Sequence, residues 1–265
     1  MRFSLRKNRI RAMLLSAVML AVLAPATRPS AAADIRVYSS GAPSEVARHV
    51  AATFSATAGH RVLLTVGAIG EIQKRLLAGE TPDLVVLPAP AIEALDQAGK
   101  LRSDTRTVLA RVGIGVAVRE GARAPDIATA DAVRKMLIEA RSVVHADPAG
   151  GGFAGAQIAR MMARLGIAEA VKPKTSLMSA IGGGTAAVAK GEADIGLFNI
   201  SEIIPAKGVT LVGPLPPDLQ SYIVFAGAVH AASTSPDTAL AFLQALSDPN
   251  ARDAWQKGGF EPPGP

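Results

Sequence analysis

Short apolar runs of roughly four to seven residues alternate along this chain with longer stretches in which apolar residues recur three and four apart. The first pattern is that of buried strands and the second that of amphipathic helices. Ile35 to Tyr38, Arg61 to Val66 and Asp83 to Leu87 read as strands. Each is followed by a helical stretch: Pro43 to Phe54, Glu71 to Leu77, and Ala91 to Gly99. Val46, Val50 and Phe54 share one helical face, and Pro43 suits a helix start. Three strand–loop–helix units in succession predict a parallel sheet covered on both faces.

Val108 to Val118 is a long β-rich run, read as a crossover into a second lobe. Beyond it come a helix within Asp126 to Arg141, with Val133, Met136 and Leu137 inward, and a short strand from Ser142 to Ala146. Thr175 to Leu177 and Ala193 to Asn199 read as strands, with a helix from Ala186 to Lys190 between them. Ile200-Ser201-Glu202 reads as a short helical turn. Val209 to Val212 is a strand, and Ser221 to Val229 is read as the return crossover. Helices from Ser235 to Leu246 and from Asn250 to Lys257 close the pattern. The fold class expected is α/β, with two lobes. Lobe 1 is residues 34–113 with 226–265, lobe 2 is residues 114–225, and each is a mixed, mostly parallel sheet flanked by helices.

The loops carry the candidate chemistry. Asp147-Pro148-Ala149-Gly150-Gly151-Gly152-Phe153-Ala154-Gly155 joins a strand to a helix running from Ala156 to Gly166. Glycines let backbone N–H groups approach a ligand, and a helix N-terminus favours negative charge. A single such loop serves equally well as a bare connection. Partner loops strengthen the binding reading: Ser39-Ser40-Gly41-Ala42, Gly67-Ala68-Ile69-Gly70, and Ile181-Gly182-Gly183-Gly184-Thr185. Ligands on such sheets bind at the carboxyl ends of the strands.

Composition removes one alternative. The chain carries a formal net charge of +6, yet residues 1–33 hold six basic residues and no acidic one; without those six, 22 of the 28 basic residues remain against 22 acidic ones. The basic balance therefore gives no sign of nucleic acid or of an anionic membrane surface as a partner. Arg2, Arg6, Lys7, Arg9 and Arg11, an apolar run from Ala12 to Ala24, and Ala31-Ala32-Ala33 form an expected export signal cleaved after Ala33. An uncleaved anchor is the less favoured alternative. Periplasmic location follows as an expectation. There is no cysteine, which excludes a disulfide-linked partner and a lipid-modified cysteine.

The motifs, in order, are Ile35-x-Val37-Tyr38-Ser39-Ser40-Gly41-Ala42, Leu77-Ala78-Gly79-Glu80-Thr81-Pro82-Asp83-Leu84, Asp147-Pro148 through Gly155 with Leu165-Gly166, Glu192-Ala193-Asp194-Ile195-Gly196, and Lys257-Gly258-Gly259-Phe260. This series resembles the periplasmic molybdate-binding proteins of ABC importers, and more closely their relatives of unassigned ligand, over essentially all of residues 34–265. The resemblance implies two lobes joined by two crossing strands. It also implies a small anion in the cleft, held by backbone N–H groups and hydroxyls without a charged partner, with an ABC permease as partner of a monomer and no cofactor. The family's first-loop serine falls at Ala42, beside Ser39, Ser40 and Gly41; its second-loop serine falls near Gly67, Ala68 and Ile69. Its third-loop donor falls at Phe153 or Ala154, beside Gly152, its fourth at Ile181, and its tyrosine at Asn199. The missing hydroxyls favour an organic carboxylate over molybdate, and the glycine-rich loops are expected to leave it space.

A second class stays open. Some proteins resembling this branch are aconitate isomerases, which need a positioned base. Glu71, His145 or Asp147 would supply it. Each also has an ordinary role: Glu71 at a helix N-terminus, His145 in an apolar strand, and Asp147 accepting N–H groups in its turn. Tyr38 lines the cleft or packs. No metal-ligand spacing, Ser-His-Asp pattern or P-loop lysine is present in the sequence.

Overall fold

The computed structural model describes residues 32–150, 153–179 and 183–263. The expected export signal, apart from its last residues, lies outside them, as do Gly151, Gly152, Ile181 and Gly182. The fold is α/β, built on a nine-stranded mixed sheet among the described residues.

The first units are β1 (Asp34–Ser40), α1 (Ser44–Ala58), β2 (Arg61–Gly67), α2 (Ile69–Leu77), β3 (Leu84–Pro88) and α3 (Ala89–Gln97). As the pattern predicts, β1 pairs in parallel with β2 and β3. All five residues of β3 are buried, whereas those of the edge strand β2 are only partly covered. Two helices begin earlier than their apolar patterns indicate. α2 starts at Ile69, directly after an extended Ala68, and α3 starts at Ala89. Pro90 is tolerated in α3 because the first-turn N–H has no intrahelical acceptor. α1 continues past Phe54 to Ala58 and stops where Gly59 turns left-handed, at φ 70°.

β4 (Thr107–Arg119) spans roughly 43 Å at the usual rise per residue. Beyond it lie α4 (Ala130–Glu139), β5 (Val143–Ala146), α5 (Phe153–Arg164), α6 (Ala168–Val171), β6 (Thr175–Met178), α7 (Gly183–Lys190), β7 (Ile195–Asn199), α8 (Ile200–Ile203), β8 (Val209–Pro214), β9 (Tyr222–Val229), α9 (Pro236–Ser247) and α10 (Arg252–Lys257). The sequence pattern does not reveal α6, whose four residues are too few to display a helical period. α5 and α7 each begin three residues before the apolar patterns do, so parts of both glycine loops are helical first turns.

Thr107 to Gly113 of β4 pair antiparallel with β9, whereas Ile114 onward pairs with β7 and β8. At the changeover Gln220 stands in for a strand. Its Oε1 accepts the Ile114 N–H at 2.8 Å, and its Nε2 donates to the Ile114 carbonyl at 3.0 Å. A Cβ on Gly113 would sit 2.8 Å from that amide, so a side chain there would push Gln220 off the Ile114 backbone. β5 runs parallel to β6 and β7, and the order across the sheet is β2-β1-β3-β9-β4-β7-β5-β6, with β8 on β4.

The last helices return to the first part of the chain. Phe242 of α9 is fully buried and its ring lies 5.3 Å from that of Phe54 on α1. Asp83, 1% exposed, accepts from the Arg36 N–H, the Ser233 hydroxyl and the Thr234 N–H. That carboxylate ties the start of β3 both to β1 and to the segment leading into α9. Gly155 lets α5 lie against the strand before it. A Cβ there would come within 2.5 Å of the Ala146 carbonyl oxygen and 2.8 Å of the Asp147 carbonyl carbon. Backbone cannot yield as a side-chain tip can, so Gly155→Ala is expected to cost about 1–3 kcal/mol in chemical denaturation.

Candidate functional site

The carboxyl ends of β1, β2, β5 and β7 open on one cavity of about 430 Å³. The first turns of α1, α2, α5 and α7 reach the same space, through Ser44, Ile69, Ala154 and Thr185. Each is a helix of eight or more residues with N–H groups that have no intrahelical acceptor. Together they place partial positive charge around the cavity. Among the described residues that line it there is no lysine or arginine, and the acidic ones are Glu45, Asp147 and Glu202.

Among the described residues, three buried polar atoms at this cavity have no hydrogen-bond partner: Ser40 Oγ, Asn199 Oδ1 and Ser201 Oγ. Leaving a buried polar atom unpaired costs about 1–3 kcal/mol. The two hydroxyls can donate to an anion, whereas Asn199 Oδ1 can only accept. Ser44 also lines the cavity, but its hydroxyl donates to the Gly41 carbonyl at 2.7 Å. Glu202 is mostly enclosed. Burial raises its pKa, against a smaller opposing effect of the hydrogen bond from Asn199 Nδ2 to its Oε1 at 2.6 Å.

The cavity brings together Ser40, Gly41, Ala42, Gly67, Ala68, Ile69, Asp147, Ala154 and Asn199. Phe153 is the first residue of α5. Ser39 does not reach the cavity: adjacent strand residues face opposite ways, and its buried hydroxyl donates to the Ser40 carbonyl. Glu71 lies outside as well, exposed and 3.9 Å from Arg75 one turn along α2. His145 is buried in β5, does not line the cavity, and is held at 2.8 Å from the Ala146 carbonyl oxygen. Burial lowers its pKa, which favours the neutral ring. Asp147 does border the cavity, and its Oδ1 accepts the Ala149 N–H at 2.8 Å, as the turn predicts. Tyr38 packs: its hydroxyl donates to Glu80 at 2.6 Å and Arg75 covers its ring. Hydrogen bonds from Arg75 and then Tyr38 hold the Glu80 carboxyl down at about 2.

One expectation about the glycine loops needs correction. The space above Gly184 is taken by Phe198, whose ring would lie 2.3 Å from an added Cβ. This glycine therefore seats α7 on β7 instead of enlarging the cavity. The sequence reading also missed Ser201 and Glu202 as site residues. The available signal was their position immediately after the carboxyl end of β7, the edge at which the other loops had already been placed.

The model of the bacterial extracellular solute-binding proteins matches residues 35–261. The chain belongs to that family. An aconitate isomerase from a Pseudomonas species is 30% identical over 257 residues, covering 95% of this chain and 94% of that protein. The periplasmic molybdate-binding protein of Azotobacter vinelandii superposes with a TM-score of 0.70 at 19% identity, over 87% of this chain and all of that one. A sulfate-binding protein from Mycobacterium tuberculosis superposes with a TM-score of 0.71 at 22% identity, over 88% of each chain. The fold is thus the two-lobed one of periplasmic binding proteins, as the motif series implies. Among the described residues no helix is long and apolar enough to cross a membrane, and no group of three or more His, Cys, Asp or Glu is placed to hold a metal.

A pH prediction follows from Glu202. Its pKa is raised in the folded chain, so the folded state favours the protonated form more than the unfolded chain does. The stabilising contribution is complete below the ordinary glutamate pKa of about 4.3 and is lost as pH rises through the higher folded value. Glu202→Gln is therefore expected to raise the unfolding midpoint at pH 8 and to change it little at pH 4. Urea titrations at the two pH values check this.

Proposed function

We propose that this member of the solute-binding family captures a small anion in the cavity between its lobes, in the periplasm, and hands it to the permease of an ABC importer. The observation that carries the reading is the convergence of four helix N-termini and two unpartnered hydroxyls, those of Ser40 and Ser201, on one cavity. Helix N-termini favour anions without any lysine or arginine. Export with cleavage after Ala33, a monomeric state, and lobes of residues 34–113 with 226–265 and of 114–225 belong to the same proposal. The change of partner along β4 at Gly113 supports those lobe limits.

Size favours an organic carboxylate over a tetrahedral oxyanion. The cavity has room for on the order of a dozen waters at about 30 Å³ each. A tetrahedral oxyanion has five heavy atoms, whereas a tricarboxylate of six carbons has twelve. Ala42 and Asn199 also stand where the resembled family has hydroxyl side chains. The test is calorimetry with molybdate, sulfate, and di- and tricarboxylates. Saturable one-to-one binding of a carboxylate, with no response to molybdate, is the expected result. Tight molybdate binding without any carboxylate response would overturn the ligand class.

The Pseudomonas relative supports a second reading, a cofactor-independent aconitate isomerase. Of the three bases considered from sequence only Asp147 borders the cavity; Glu202 is a further carboxyl there. A binder returns cis-aconitate unchanged, whereas an isomerase converts it to the trans isomer. Proton NMR of the incubated mixture distinguishes the two.

A further inference from the structure

We propose that Asn199 and Glu202 form a proton-linked recognition pair, so that the cleft takes up its anion together with one proton held on Glu202. The inference rests on the reading of this cavity as the anion site and deepens it. The pair spans the carboxyl end of β7 and the turn that follows, and both residues line the cavity. Asn199 is 6% exposed. Its Nδ2 donates to Glu202 Oε1 at 2.6 Å, and its Oδ1 has no partner.

This arrangement suits an ionised Glu202. The amide N–H is spent on the carboxylate, and an acceptor oxygen is left without a donor. An anion at this end would meet a carboxylate and a carbonyl, both of the wrong sign. Protonation reverses the pattern. The Glu202 O–H donates to Asn199 Oδ1 once the amide is turned over, an exchange that leaves the amide plane and volume unchanged. Nδ2 is then free to donate to the ligand. The bookkeeping is simple: one proton passes from solvent to the carboxylate, and no covalent bond to the ligand forms or breaks.

The surroundings favour the neutral form when an anion arrives. Glu45 on α1 and Asp147 after β5 are the other charged groups on the cavity wall, and both are acidic. His145 sits opposite Leu197 in the pairing of β5 with β7, and burial favours its uncharged ring. No described lysine or arginine lines the cavity to hold Glu202 ionised. Burial already raises the Glu202 pKa, and an anion beside it raises it further by like-charge repulsion.

Calorimetry at pH 5.5 and pH 8, each in two chloride buffers of different ionisation enthalpy, tests this with molybdate, sulfate, succinate and cis-aconitate as probes. For any probe that binds, the wild-type protein is expected to take up close to one proton at pH 8. Its affinity is expected to fall about tenfold per pH unit once Glu202 ionises. Glu202→Gln is expected to remove that uptake and to keep the acid-side affinity at pH 8. Binding by the wild type without proton uptake overturns the proposal even if the variant does not fold. Equal uptake by wild type and Glu202→Gln also overturns it, since the proton then goes elsewhere. If no probe binds at either pH, the anion-site reading fails and takes this inference with it.

Discussion

Ser40→Ala combined with Asn199→Ala is expected to weaken anion binding by about 10²–10⁴-fold. Ser40 presents an unpartnered hydroxyl to the cavity, and the Asn199 amide, once turned over beside a protonated Glu202, presents its Nδ2. A hydrogen bond to a charged group is worth about 1.5–3 kcal/mol, and two such bonds give the range. Ser40 Oγ makes no protein hydrogen bond to lose, whereas removing the Asn199 amide takes a partner from Glu202, so a stability cost of about 1–3 kcal/mol is expected from the second site. Each single variant is expected to give about 10–100-fold. Titration calorimetry reads the affinity and urea denaturation the stability. An unchanged affinity in the double variant places the anion elsewhere.

The largest stability effect is expected at Asp83. Asp83→Ala should cost about 3–5 kcal/mol in urea denaturation, because it removes the acceptor shared by the Arg36 N–H, the Ser233 hydroxyl and the Thr234 N–H. The Arg36 guanidinium, at 3.9 Å and half exposed, adds little to this figure. Asp83→Asn keeps an acceptor oxygen and should cost clearly less. The loss should also be regional. The carboxylate fastens the segment before α9 to β1, so hydrogen exchange in residues 230–247 should accelerate more than in α5 or α7.

Much of this architecture can be read from the residues. The alternation of apolar runs with helical periods locates the strands. Parallel pairing of β1, β2 and β3 follows from their helical connections, and the strand carboxyl ends mark where a ligand would go. Helix starts are less legible. Ile69, Ala89, Phe153 and Gly183 open helices before the apolar period becomes visible, because first-turn residues answer to a strand end and a turn, not to a buried face. α6, at four residues, shows no period at all.

The cavity was legible by edge and not by side chain. Ser39 and Ser40 look alike in sequence, and only the strand's alternation, once its register is known, sends one inward to packing and the other to the cavity. Gly184 looks like room for a ligand until Phe198 of β7 is seen to fill the space above it. Glu202 carries no motif. Its enclosure depends on how the turn after β7 folds over the cavity, a long-range property that no local spacing encodes. Asp83 is similar: its partners Ser233 and Thr234 are 150 and 151 residues away in the chain.

One anion is proposed to bind in the cavity that Ser40, Asn199 and Ser201 line. A titration of the wild-type protein with dicarboxylates, tricarboxylates, sulfate and molybdate, repeated on the Ser40→Ala/Asn199→Ala variant, tests it most directly. Saturable one-to-one binding of a carboxylate to the wild type is expected, with a loss of about 10²–10⁴-fold in the variant. Equal affinity in both proteins, or no binding of any of these anions to the wild type, would contradict it.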